Sequence, residues 1–571
     1  MQASNFLLIL IATAAFAAPI PRKNFIDEHI FTKIERDKVP SAPLSSDSEF
    51  LRRIYLDLTG RLPDPAIAKK FLADTDPAKR DKLIDSLIPA LPTVGFGRRT
   101  PRPFLDRWTY FFSDLFRNNE ELREGIVSFY NHIFKSLELN IPYDAFVRDL
   151  LTASGISTWT NGATNFIARH KVGEGDGYSA MNHEDTADEI AITATKLFLG
   201  VESQCISCHD GKGHLEKVNL WLSKKKRVDL WRQASYFGKT HVSPVYGRIP
   251  EFMVNDTAQG YDLATKSVLR MPRYKADVTP TFLLTGEPIQ RQPGETDRQA
   301  FARTLTAHPQ FARATVNLIW AELMGRGIVD PPFSFDLDRQ DPKNPPPAPW
   351  TIQPTHPDLL EALAEDFRTH NHDLRRLMLL IVKSNAYQLS SVAGPDWKPS
   401  YDDYFARHPL RRLSAEQLWD AVSQTSGIFE KFKVRYDDDT YTYALQARFC
   451  QDYEQSHPKL YRLMKDFGQT AREDPATERS SMIQAGALLN DELFANRAKL
   501  TKGGRLDTLL NAEPKKSDRE IVDELFLSAL SRYPTDAERK PALAAMQENR
   551  IEGAEDTLWA LFNRLDFIFN F

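Results

Sequence analysis

Helical periodicity recurs along almost the entire chain and restricts it to a fold of packed helices. Over 48–58, Phe50, Leu51, Ile54, Tyr55 and Leu58 share one face, with Ser46 or Asp47 as the cap. Pro63-Asp64-Pro65 opens a helix over 66–72, and Asp76-Pro77 opens one over 78–87. The pattern continues near 104–117, 121–138, 142–153 and 185–199. It resumes at 297–306, 309–324, 356–369, 373–385, 414–427, 476–491, 518–531, 535–549 and 554–568. Alternating strands are scarce, with 242–254 and 279–284 as the candidates. The expected class is mainly α.

Two irregular stretches interrupt this pattern. Residues 239–296 are rich in Pro, Gly and polar side chains, and residues 339–357 hold seven prolines, which a helix interior does not tolerate. The second is expected as an extended structural loop rather than a Pro-rich ligand. We therefore expect two helical domains joined by an irregular segment with a few short strands. The divisions are 1–17 as a leader, 18–240 as the first domain, 241–296 as the connection and 297–571 as the second domain.

Composition narrows the class further. Lys and Arg number 73 against 77 Asp and Glu, a net charge of −4, which excludes a dedicated nucleic-acid binder with its strongly basic footprint. With 42% hydrophobic residues and 35 Phe there is material for a large core. Only 3 Cys are present, so no disulfide scaffold holds the chain together.

The apolar run over 6–17, FLLILIATAAFA, has the length of a signal-peptide h-region and is too short to span a bilayer. Ala15-Phe16-Ala17 offers a cleavage pattern, with the cut after Ala17 or Ala18, although residues 1–5 lack Lys and Arg. An uncleaved anchor or a buried first helix is the alternative. No later stretch is long and apolar enough to span a membrane, so the mature chain is expected to be periplasmic or secreted.

Two of the three cysteines fall in Cys205-Ile206-Ser207-Cys208-His209. This CxxCH spacing is the attachment sequence of c-type haem. Two thiols on one turn can each form a thioether to a vinyl group, and the adjoining His209 then becomes the proximal iron ligand. Random placement of 3 Cys and 13 His over 571 positions produces the motif about 4 times in 10,000. One covalent haem c is the expected cofactor. A zinc site using Cys205, Cys208, His209 or His214 lacks a second ligand pair. A redox CxxC needs a preceding strand, whereas 189–200 reads as a helix ending at Gly200.

For the sixth iron position Met271 is the first choice, lying 62 positions after His209 in Arg270-Met271-Pro272-Arg273. His183 and His214 are rivals, followed by Met253 and Met181, and an open position is allowed. Lys212, Lys217 and the run Lys224-Lys225-Lys226-Arg227 form either a basic rim for an acidic redox partner or a solvated face. Cys450 reads as a small buried hydrophobe, and Asp437-Asp438-Asp439 as a solvated turn without calcium-loop spacing. Gly173-Glu174-Gly175-Asp176-Gly177 is a flexible loop and not a dinucleotide fingerprint. GxSxG, HExxH and Walker patterns are absent from the sequence.

Longer motifs bring a family into view. Phe25-Ile26-Asp27-Glu28-His29-Ile30, the stretch Phe50-Leu51-Arg52-Arg53-Ile54-Tyr55-Leu56-Asp57-Leu58-Thr59-Gly60-Arg61-Leu62-Pro63 and the approach to the motif over 198–210 belong together. So do Ala314-Thr315-Val316-Asn317-Leu318-Ile319-Trp320, Gly325-Arg326-Gly327-Ile328-Val329, His356-Pro357-Asp358-Leu359-Leu360, the stretch 410–418 and the closing Asp566-Phe567-Ile568-Phe569-Asn570. In these the chain resembles the planctomycete-type cytochrome C proteins, in which a CxxCH-bearing domain of unknown function precedes a second uncharacterised domain. The resemblance implies haem and export but supplies no substrate. Members often continue CxxCHDH, whereas here Asp210 is followed by Gly211 and the next His is His214. The expected function is single-electron transfer with a redox partner protein. The alternatives are a haem-dependent oxidoreductase acting on an external substrate such as a polysaccharide, and a non-catalytic scaffold.

Overall fold

The computed structural model describes residues 20–89, 102–118, 122–174, 180–245, 251–433, 440–447, 458–466 and 492–571. The apolar leader, Cys450, the Asp437–Asp439 run, the helix expected over 476–491 and most of the glycine loop near 175 lie outside them.

The first half runs through α1 (Phe25–Asp37), α2 (Asp47–Thr59), α3 (Pro65–Ala73), α4 (Lys79–Leu87), α5 (Pro103–Leu115), α6 (Gly125–Glu138), α7 (Tyr143–Thr152) and α8 (Thr164–Ala168). It continues with α9 (His183–Leu199), α10 (Cys205–Cys208) and α11 (Arg227–Ala234). The second half holds α12 (Asp297–Ala307), α13 (Pro309–Met324), α14 (Pro357–Thr369), α15 (Leu374–Val382) and α16 (Ala415–Ser426). Helices Pro458–Asp466, Glu492–Arg497, Arg505–Leu510, Asp518–Leu530, Asp536–Glu548 and Arg550–Phe562 follow. The class is mainly α, as the periodicity requires.

Caps account for many boundaries. Ser46 Oγ accepts from Glu49 N–H at the start of α2, and Thr296 and Ser414 form capping boxes with Gln299 and Gln417. Gly60, Gly200 and Gly427 close α2, α9 and α16 in the left-handed region. Strands are short pairs: β1 (Gly173–Glu174) with β2 (Ala180–Met181), β3 (Thr240–Pro244) with β4 (Phe252–Asp256), β5 (Arg411–Arg412) with β8 (Phe569–Asn570), and β6 (Phe432–Lys433) with β7 (Thr440–Tyr441). The strand expected at 242–254 is a hairpin with Val242 opposite Val254. The one expected at 279–284 is a single bridge, Phe282 to Glu287, because Thr281 N–H instead donates to the Arg232 carbonyl.

The two halves share one continuous apolar core that extends from Ile26 to Phe567. Helix α9 packs on α13, α7 on α12 and α1 on α14. The irregular segment after β4 is tied by side chains to the first half, and its Glu295 pairs with Arg303 of α12. Tyr261 Oη donates to Asp188 at 2.7 Å, Arg273 pairs with Asp185 and Asp188, and Leu283 N–H donates to Gln233. The proline-rich stretch is an extended loop, folded back so that the Arg339 guanidinium lies over Trp350 at 4.7 Å.

Candidate haem attachment site

The attachment turn is built by the end of α9. Gly200 closes that helix with φ of 68°, and Val201 then bridges to Ser334. Ser203 accepts from Ile206 N–H and Gln204 from Ser207 N–H, which winds residues 205–208 into one turn. Ile206 and Ser207 point inward and are 0% and 1% exposed. Residues i and i+3 share a helix face, so burying the middle pair presents Cys205 and Cys208 together. Both thiols are free and exposed. Burial, with Glu202 and Cys208 adding to it, pushes the Cys205 thiol up. An activated redox dithiol needs the opposite shift, so the redox reading of the pair finds no support in its surroundings. Among the described residues, no three His, Cys, Asp or Glu converge as a metal-ligand group.

His209 follows in extended conformation, its Nδ1 3.0 Å from the Asp210 carbonyl oxygen. With Nδ1–H donating there, Nε2 carries the free lone pair, the arrangement that orients metal-ligating imidazoles. Asp210 in turn accepts from Arg227 N–H at 2.9 Å. Gly211 explains the departure from a second His at that position. A Cβ there would sit 2.0 Å from the Leu222 carbonyl oxygen, so this backbone path admits only glycine. His214 instead lies beside His209, with ring centres 4.2 Å apart.

Met271 is brought to the motif. The Arg227 guanidinium donates to the carbonyl oxygens of Ser207 (3.4 Å), Met271 (2.7 Å) and Pro272 (3.3 Å). Arg270 donates from Nε to Ser207 Oγ at 2.7 Å and also pairs with Glu189, while its Nη1 is buried without a partner. The Met271 side chain is 63% exposed, with Val268, Leu269 and Tyr274 also exposed on the same segment. These exposed apolar side chains lie on the segment whose backbone Arg227 ties to the turn at Ser207. The other rivals are engaged elsewhere. His183 stacks on His241 at 3.8 Å, Met181 packs on the core and Met253 is half-buried in β4.

The basic run is not a uniform rim. Lys224 pairs with Asp338, Lys225 lies over Trp221 and donates to Leu283, and Arg227 is buried. Lys212 and Lys217 are exposed. Sequence reasoning placed Arg227 in a basic rim and did not single out Arg270 and Arg273 as site residues. A signal existed in the acids Asp185, Asp188 and Glu189 at helical spacing on α9, facing the arginines that flank Met271-Pro272.

Residues 25–217 match the family described as PSCyt2, protein of unknown function (DUF1549), and residues 297–546 match PSD1, protein of unknown function (DUF1553). Their order is consistent with the planctomycete cytochrome C architecture. No curated protein and no solved structure matches the chain. No helix among the described residues is long and apolar enough to cross a membrane.

Proposed function

We propose that this chain, whose halves match PSCyt2 and PSD1 in that order, is an exported planctomycete-type monohaem c-type cytochrome that passes single electrons to a partner protein. The observation that carries the reading is the outward pairing of the Cys205 and Cys208 thiols on one turn, followed by an imidazole whose Nδ1 is already held. The name PSCyt2 agrees with it, as does the apolar leader over 6–17. Cys205 and Cys208 would tether the haem, His209 would supply the proximal nitrogen and Met271 the distal sulfur. The haem supplies a reversible one-electron couple. The chain's own contribution is to hold the imidazole, shield the ring edge with 268–274 and bury the inner side of the turn.

The test is a haem stain on denatured protein made in a host with the cytochrome maturation machinery. Covalent haem is expected in the wild type and not in the Cys205→Ala/Cys208→Ala double variant. A wild type without covalent haem under those conditions overturns the reading. Both thiols are exposed, so the double variant should still fold, which separates a tethering role from a purely structural one.

A further inference from the structure

We infer that Arg227 is the positioning residue of the distal face, latching the Met271 segment to the attachment turn and so deciding how the iron is coordinated. This rests on the cytochrome reading, with Met271 opposite His209. One guanidinium reaches both sides of the site. It donates to Ser207 in the turn and to the successive carbonyls of Met271 and Pro272. It is held flat by Trp231 at 4.9 Å and Tyr274 at 5.9 Å, and its own backbone N–H fixes Asp210 next to His209.

The segment has no regular secondary structure to place it. Residues 258–280 contribute no strand or helix, so their position depends on side-chain ties. Arg270 and Arg273 tie it to α9 through Glu189, Asp185 and Asp188. Arg232 of α11 donates to the Asp277 carbonyl at 3.0 Å, and Arg227, on the same helix, grips the backbone of the proposed ligand residue itself. A lysine keeps the charge but cannot hold three carbonyl oxygens in a planar fork. Losing such charge-assisted bonds shifts a two-state loop equilibrium by about tenfold or more. The released segment would leave the sixth iron position open to a small external ligand.

The experiment uses the full haem-loaded chain as wild type, Met271→Leu, Arg227→Lys and Arg227→Gln, with the exposed Lys515→Ala as the control. The readouts are the sulfur-to-iron absorption band of the ferric form and carbon monoxide affinity of the ferrous form. Wild type and Lys515→Ala should show the band, and Met271→Leu should lose it. Both Arg227 variants should weaken the band and bind carbon monoxide at least about tenfold more tightly than wild type, with helix content and haem stain unchanged. Arg227 variants that match wild type while Met271→Leu loses the band overturn the latch and leave the distal ligand standing. A haem-stained wild type without the band overturns the latch through its ligand, whereas a wild type without covalent haem overturns the cytochrome reading itself. Should neither Arg227 variant fold, trypsin on the wild type decides. Slow cleavage after Arg270 supports a latched segment, and cleavage at the rate of an unstructured loop overturns it.

Discussion

Arg52 Nη2 donates to the carbonyl oxygen of Phe567 at 2.7 Å, joining the second helix to the last residues of the chain. The same guanidinium reaches Ala529 at 2.9 Å and Phe569 at 3.3 Å. Its neighbour Arg53 holds the carbonyls of Tyr387, Leu389 and Phe571 and pairs with Glu49. Both arginines are 0% exposed. Burial drives the Arg52 guanidinium down to about 9, which still leaves it charged at neutral pH. A buried cation of this kind is tolerated because carbonyl dipoles replace its water.

Arg52→Met should therefore destabilise the chain by about 2–4 kcal/mol, since it strands three buried carbonyl oxygens. Urea unfolding would show a lower midpoint with an unchanged slope. Removing residues 567–571 should cost a similar amount, because it leaves the charge buried with only the Ala529 carbonyl as acceptor. A loss below about 0.5 kcal/mol in both would mean that the clamp contributes little.

Gly200 sets where the attachment turn begins. Its φ is 68°, and an added Cβ would lie 2.6 Å from the Phe335 ring, with Ala314 Cβ at 3.3 Å. Gly200→Ala combines left-handed strain with a clash and should cost about 2–4 kcal/mol. Because α9 then leads differently into 201–208, the proposed cytochrome function predicts that the variant also incorporates less haem per folded chain. Thermal unfolding and the ratio of haem to protein check the two effects separately.

Two buried carboxyls and one half-buried histidine should give opposite pH dependences. Burial, opposed by Arg61, raises the Asp106 carboxyl to about 6, and burial raises Asp420 to about 7. For a raised carboxyl the stabilising contribution is full below its unfolded value and is lost as pH rises through the folded one. Asp106→Asn keeps an oxygen for Arg61 and Arg102 N–H, and should remove about 2 kcal/mol of the stability lost between pH 4 and 7. His183 behaves the other way. Burial and the stacked His241 lower it to about 4, so its contribution is present above its ordinary range and is lost as pH falls from 6.5 toward 4. The group is only half-buried, so His183→Phe should flatten that loss by about 1 kcal/mol after allowance for solvent screening. Urea titrations at a series of pH values would reveal the two slopes, and slopes of the same sign would contradict both assignments.

Much of the local structure was legible in sequence. The helices at 297–306 and 309–324 are observed as Asp297–Ala307 and Pro309–Met324, and the strand candidate at 242–254 is a hairpin. Caps, prolines and spacing act over a few residues, and a sequence displays those directly. The CxxCH spacing likewise fixed that two thiols and an imidazole would share one turn.

What the sequence could not show depends on partners far along the chain. The periodicity at 48–58 put Phe50, Leu51 and Ile54 inside, and it gave no reason to bury Arg52 and Arg53 as well. Their burial is decided by carbonyl groups more than 330 positions away. Composition cast 241–296 as a connection, and it did not show that the side chains of Tyr261, Arg270 and Arg273 tie this segment to acids on α9 or that Arg227 holds Met271 beside Ser207. The sequence by itself determined the helices and the spacing of the attachment turn, because both follow from short-range geometry. Tertiary structure alone decided which charges are buried and what lies beside the motif, because desolvating a charge is tolerable only where distant polar groups meet it.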